Sequence, residues 1–157
     1  MKRRGRANAA TQLDQTDRRI IEELQRDGRL PFTRLGAAVG LSEAAARQRV
    51  QRLLDAGTMQ VVAVTNPLSL ADRRMAMIGV RTDRPLDEVA PKIEQLDNVE
   101  YLVVTAGSFD LLCEVVVDDD PSLLSLVNEI RSVAGVVGTE TFVYLDLVKQ
   151  TFAWGAH

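Results

Sequence analysis

The chain predicts an α+β protein in two parts, a trihelical head over residues 13–59 and a βαββαβ body over residues 74–150. Three observations carry that expectation. Capped amphipathic helical segments crowd the first third of the sequence, and alternating strand and helix patterns fill the remainder. Charge divides at the same place: residues 1–60 hold 12 Lys/Arg against 7 Asp/Glu, a net of +5, while residues 61–157 hold 7 against 15, a net of −8. The overall −3 therefore hides a basic head on an acidic body. A polyanion would meet the head and be repelled by the body.

The first helix is expected over residues 13–28, LDQTDRRIIEELQRDG, with Asp14 as N-cap, Leu13 as staple, and Ile20, Ile21 and Leu24 inward. A short second helix follows over residues 32–39, with Leu35, Ala38 and Val39 inward. Small residues at Gly36, Ala37 and Ala38 let it cross the third helix closely. That third helix lies within GLSEAAARQRVQRLLDAG, residues 40–57. Gly40 and Leu41 turn the chain, Ser42 can cap the orphan N–H groups, and Gly57 closes the helix. Ala46, Val50 and Leu53 form one narrow apolar stripe, which leaves Glu43, Ala44, Arg47, Gln48, Gln51 and Arg52 outward. Such a stripe also fits an ordinary surface helix, but the two helices before it complete a helix-turn-helix. On that reading double-stranded DNA is the partner. Arg47 and Gln48 lie nearer the helix start than Arg52 and read bases, since Arg pairs with guanine and Gln with adenine. Arg52 meets phosphate, with Ser42, Glu43, Ala44 and Gln51 beside them. The opening KRRGR belongs to a basic arm, residues 1–12, that serves either as a solvated tail or as a DNA contact.

The body begins with an apolar strand at residues 74–82. Pro85 suits the first turn of a helix carrying Leu86, Val89, Ile93 and Leu96 inward and ending before Asn98. VEYLVVTA, a turn at Gly107-Ser108-Phe109-Asp110, and LLCEVVV read as a β-hairpin. Asp118, Asp119 and Asp120 precede a second helix with Leu123, Leu124, Leu126, Val127 and Ile130 inward; capping accounts for these aspartates better than a cation site does. A final long strand, VVGTETFVYLDLVKQ, follows Gly135 and leaves a tail of residues 151–157. The order βαββαβ predicts a ferredoxin-like sandwich with both helices on one sheet face and apolar strands open on the other, hence self-association into an even-numbered oligomer.

An enzyme reading finds no constellation to rest on. The only histidine is His157, and the only cysteine, Cys113, lies in an apolar strand. Neither zinc-ligand spacing nor a disulfide can be built from them, so no cofactor or metal is expected. No apolar run reaches membrane length and no signal-type segment opens the chain, which reads as cytoplasmic and nucleoid-associated.

The ordered set LDQTDRRIIEELQRDGR, GLSEAAARQRVQRLLDAGTM, NPLSL, VEYLVVTAGSFDLLCEV and GVVGTET resembles the Lrp/AsnC family of transcriptional regulators from about Leu13 to Gln150. The resemblance implies a winged helix-turn-helix head, a strand linker over residues 60–73, and a βαββαβ domain that dimerises through its sheet and assembles further into tetramers or octamers. It also implies an amino acid or similar effector at the β2–β3 turn. There Gly107 and Asp110 match the family's G-x-x-D pattern, with Thr105 and Ser108 beside them, and Thr139 and Thr141 match a family segment on the last strand. A glycine lets backbone N–H groups approach a carboxylate, and an aspartate accepts from an ammonium. Both residues equally suit a plain hairpin turn.

Several positions depart from the family pattern. Pro31 replaces the usual cap before the second helix, Thr58-Met59-Gln60 replaces an apolar glycine-containing segment, Ala71 replaces a glycine, and Glu43 is acidic at the reading end. Arg49 matches a consistent family arginine at the edge of the apolar stripe. It can either pair with a first-helix carboxylate such as Asp17 or contact phosphate.

Overall fold

A computed structural model of the chain describes residues 13–66 and 73–151; the basic arm, the positions around Ala71, and the tail with His157 lie outside the described residues. The chain forms two compact units that divide at Val64 and Thr65.

In the first unit α1 spans Gln15–Arg26, α2 Phe32–Val39 and α3 Glu43–Asp55. Asp14 starts α1 with a reciprocal cap: its carboxylate accepts the Asp17 N–H at 2.7 Å, and the Asp17 carboxylate accepts the Asp14 N–H at 3.3 Å. Hydrogen bonds from Arg49 and from the Asp17 backbone hold the Asp14 carboxyl below its ordinary value. Pro31 caps α2 without any side-chain hydrogen bond. Gly40, at φ 74, ends that helix in the left-handed conformation a glycine adopts without strain, and Ser42 then accepts the Ala45 N–H at 3.2 Å to start α3.

Ile20, Leu35, Ala46 and Leu53 are fully buried and make the head core with Ile21, Val39 and Val50; Leu13, Leu24 and Phe32 pack against it. The inward set expected for α2 needs one correction, because Ala38 is exposed and Gly36 is buried instead. At about 100° per residue, Phe32, Leu35, Gly36 and Val39 already fill the inner arc, and position 38 falls outside it. Gly36 alone among the small residues permits the close crossing: a Cβ there would lie 2.7 Å from the Leu41 carbonyl oxygen, whereas Ala37 is exposed as well. The segment 60–66, expected as a strand, forms no ladder. A lone extended segment has no neighbour to take its N–H and C=O groups within one chain. Val61, Val62 and Val64 accordingly stay exposed.

The second unit contains β1 (Arg74–Thr82), α4 (Leu86–Ile93), β2 (Val99–Val104), β3 (Leu111–Val117), α5 (Asp120–Ser132) and β4 (Val136–Val143). The strands form one antiparallel sheet in the order β2-β3-β1-β4. Ala76, Ile78 and Val80 stand opposite Val115, Cys113 and Leu111, and together with Val89, Ile93, Leu123, Leu126 and Ile130 they form the core beneath the two helices. Burial pushes the Cys113 thiol up to about 12, which suits a packing residue rather than a nucleophile.

Three expectations for this unit are corrected. The α4 helix ends at Ile93, and Leu96 follows in a turn, still packed on the core. Leu124 is 62% exposed, because Leu123, Leu126, Val127 and Ile130 complete the inner stripe at helical spacing and Leu124 falls off it. The last strand stops at Val143: the Tyr144 N–H donates to the Met75 carbonyl at 2.8 Å, but β1 begins one residue earlier and offers no further partner. Leu145 is therefore 94% exposed. Of the three aspartates Asp119 caps the helix as expected, and the other two form ion pairs that the sequence reading does not foresee. Asp119 accepts the Ser122 N–H at 2.7 Å, which holds its carboxyl low, while Asp120 and Asp118 face Arg74 and Arg73 at 2.7 and 3.8 Å.

Candidate functional site

All seven residues assigned to DNA contact, from Ser42 to Arg52, are exposed along α3. The apolar stripe behind them is consumed by the head core, so the helix is anchored on one side and open on the other. Their side chains are not equally available. Arg47 donates to Glu43 at 2.9 Å and its guanidinium lies 4.5 Å from the centre of the Phe32 ring. Gln51 donates to Asp55 at 2.8 Å. Gln48 has no partner among the described residues.

Arg52 differs most from its expected state, because one of its terminal nitrogens donates to both Asp17 carboxylate oxygens at 2.6 and 2.7 Å. Arg49 reaches the same carboxylate at 2.9 Å and Asp14 at 2.6 Å, so of the two roles open to it the structure holds the ion pair with α1. Hydrogen bonds to both aspartates raise its pKa further. Asp17 is 1% exposed. A carboxylate so deep needs these cations, and the arrangement braces α3 against α1.

The hairpin turn is the second region. The Thr105 N–H donates to the Asp110 carbonyl at 3.0 Å, the Asp110 N–H donates to the Val80 carbonyl at 2.9 Å, and the Thr105 hydroxyl donates to the Phe109 carbonyl. One Asp110 oxygen, Oδ2, accepts the Thr82 N–H at 2.7 Å and the Thr82 hydroxyl at 3.5 Å. The other has no partner among the described residues. Gly107 and Ser108 are exposed, and a Cβ at Gly107 would meet nothing within 4 Å. Thr105, Gly107, Ser108 and Asp110 thus gather in one turn, but Thr139 and Thr141 do not join them. They stand on β4 opposite Val80 and Ile78, and the Thr139 hydroxyl accepts from Arg131 of α5 at 2.7 Å.

Two residues that the sequence reading passed over complete these regions. Phe32 lies under Arg47; an aromatic at the first position of a helix next to the reading helix was the only signal. Phe109 lies over Gly79 on the sheet face away from the helices, where a glycine Cβ would come within 2.6 Å of the ring. Phe142 meets it edge-on at 6.3 Å, and Arg81 lies 5.4 Å from its centre. A glycine inside a strand marks such close approach.

Residues 13–54 match the AsnC-type helix-turn-helix domain, and residues 75–154 match the Lrp/AsnC ligand-binding domain. The chain is similar to the HTH-type transcriptional regulator LysM of Saccharolobus solfataricus, 31% identical over 85% of this chain and 94% of that one. It is also similar to the leucine-responsive regulatory protein of Serratia marcescens, 30% identical over 94% and 93%. Among solved structures, a transcriptional regulator of Neisseria meningitidis in complex with L-Met superposes with a TM-score of 0.77 at 27% identity, covering 88% of this chain and 94% of that one. With both domain matches in chain order, and with relatives alike over nearly their whole length, the chain belongs to the Lrp/AsnC family of DNA-binding transcriptional regulators.

Proposed function

We propose that the chain reads specific double-stranded DNA through the open face of α3, acts as a dimer or larger even-numbered assembly, and responds to an amino acid or related small metabolite. The observation that carries this reading is the division of α3 into a buried apolar stripe and an exposed face holding Glu43, Arg47, Gln48, Gln51 and Arg52. Arg47 and Gln48 read base edges; Ser42, Glu43, Ala44 and Gln51 flank them. Arg52 offers its remaining donors to phosphate while bracing Asp17. Two heads related by a two-fold axis then engage half-sites about one helical turn apart. The helix-free sheet face, where Met77 stands between Glu114 and Phe142, is the proposed surface between copies. No catalytic or metal role is proposed, and the protein works in the cytoplasm on nucleoid DNA. No helix among the described residues is long and apolar enough to cross a membrane.

For the effector, the named leucine response of one relative and the bound L-Met of another support an amino acid. The turn offers backbone at Gly107 and Ser108 for a carboxylate and the unpartnered Asp110 oxygen for an ammonium, with Thr105 beside them; Thr139 and Thr141, apart from the turn on β4, are left out of this site. A second reading, a regulator of the same fold with no effector, is favoured by one observation: Asp110 is already engaged at Thr82. Thermal-shift screening against the twenty amino acids separates the two, since a ligand of the folded state raises the unfolding temperature. Selection from randomised duplexes, followed by gel shifts, tests DNA reading. A chain that enriches no sequence and binds shuffled DNA equally well overturns it, and sedimentation as a stable monomer at micromolar concentration overturns the assembly.

A further inference from the structure

We infer that Phe32 and Glu43 are positioning residues that preset the Arg47 guanidinium as a guanine reader, an inference that rests on the reading of Arg47 as a base contact. Phe32 is the first residue of α2, and Glu43 and Arg47 lie one turn apart on α3, so both helices of the helix-turn-helix converge on one guanidinium. The ring centre is 4.5 Å from the guanidinium carbon, and Nη2 donates to Glu43 at 2.9 Å; Nε and Nη1 have no partner among the described residues. Arg47 is nevertheless 61% exposed. An ion pair this open stabilises a fold very little, so its consequence is orientation rather than stability.

An unrestrained arginine must give up rotamer freedom when it docks on a base edge, and that loss weakens binding. Here one face of the planar fork rests on an aromatic and one corner on a carboxylate, so much of the loss is taken during folding. Guanine is the matching base because its O6 and N7 present two acceptors, and Nη2, which carries two hydrogens and gives one to Glu43, keeps the other to form a two-donor edge with its neighbouring nitrogen. Pairing also neutralises Glu43, whose bare carboxylate at this surface would repel the DNA backbone.

The test uses the full-length chain, the duplex it enriches from a randomised pool, and a shuffled duplex of the same composition. Phe32→Leu keeps an apolar side chain against the head core but removes the aromatic face. It should lose roughly three- to tenfold affinity for the enriched duplex, with random-DNA binding unchanged and guanine preference relaxed. Phe32→Tyr should restore both. In an Arg47→Ala background Phe32→Leu should cost nothing further, which a purely structural role would not produce. Glu43→Ala, on the surface and clear of the core, should show the same dependence on Arg47 and keeps the test decisive if Phe32→Leu fails to fold. Wild-type selectivity in Phe32→Leu and Glu43→Ala, or losses that add to that of Arg47→Ala, would overturn the clamp while leaving base reading by Arg47 intact. Equal losses on both duplexes for Arg47→Ala alone would instead sink the reading beneath it.

Discussion

The recognition helix and the hairpin turn were read from equally short patterns, yet their polar groups end in opposite states. Along α3 the donors proposed to meet DNA are braced by neighbours and still exposed: Arg47 by Glu43 and Phe32, Arg52 by Asp17. At the turn, the one charged group expected to greet a ligand gives an oxygen to the Thr82 N–H. Arginine has five donors and can brace with one while offering the rest, whereas a carboxylate spent on a strand end has half its oxygens left. Bracing therefore costs a binding surface less when the group is an arginine.

The largest expected effect tests the brace itself. Asp17→Ala leaves Arg49 and Arg52 without their shared buried carboxylate and should lower stability by about 3 kcal/mol in urea unfolding; a loss below about 1 kcal/mol would mean the network braces nothing. Asp110→Ala, which orphans the Thr82 N–H, should cost about 2 kcal/mol, and Asp110→Asn less, because an amide oxygen can still accept. If Asp110→Asn unfolds like the parent yet abolishes an amino-acid-induced thermal shift, the turn is a ligand site as well as a strut.

Arg52→Ala should cost about 1 kcal/mol of stability, since Arg49 still pairs with Asp17, and should also flatten the salt dependence of DNA binding by about one phosphate contact. An unchanged salt slope would confine Arg52 to bracing. Acid should loosen the same junction. The Asp14 carboxyl is held below its ordinary 3.8, so its contribution is fully present above that pH and is lost as the pH falls through its lower folded value. Asp14→Asn should flatten the acid limb of a stability profile below pH 3.8, and an unaltered limb would remove Asp14 from the account. The smallest effect belongs to Gly107→Ala, within about 0.5 kcal/mol, since neither a positive φ nor a neighbour within 4 Å requires glycine. A loss of ligand response in this variant, with stability intact, would point to close approach by an effector.

Much of the architecture was legible because it depends on neighbours in sequence. Asp14, Ser42 and Asp119 each cap the helix their position promises, and the stripe at Ala46, Val50 and Leu53 names the buried face of α3. Three of the misses share one cause. Ala38 and Leu124 are apolar side chains whose helices had already filled the inner arc, and the overlong last strand ran past the end of the β1 that pairs with it. In each case hydrophobicity was visible and the space available was not.

By itself, then, the order of residues determined the two parts, their helix and strand elements, the basic head and the face of α3 that meets solvent, because caps, periodicity and charge are local properties of a chain. Only the tertiary structure decided which polar groups are bound to one another. Asp17 and Arg52 are 35 residues apart, Thr82 and Asp110 are 28 apart, and Phe32 reaches Arg47 from a different helix. A side chain's availability for DNA or ligand depends on such long-range partners, and no spacing rule reports them.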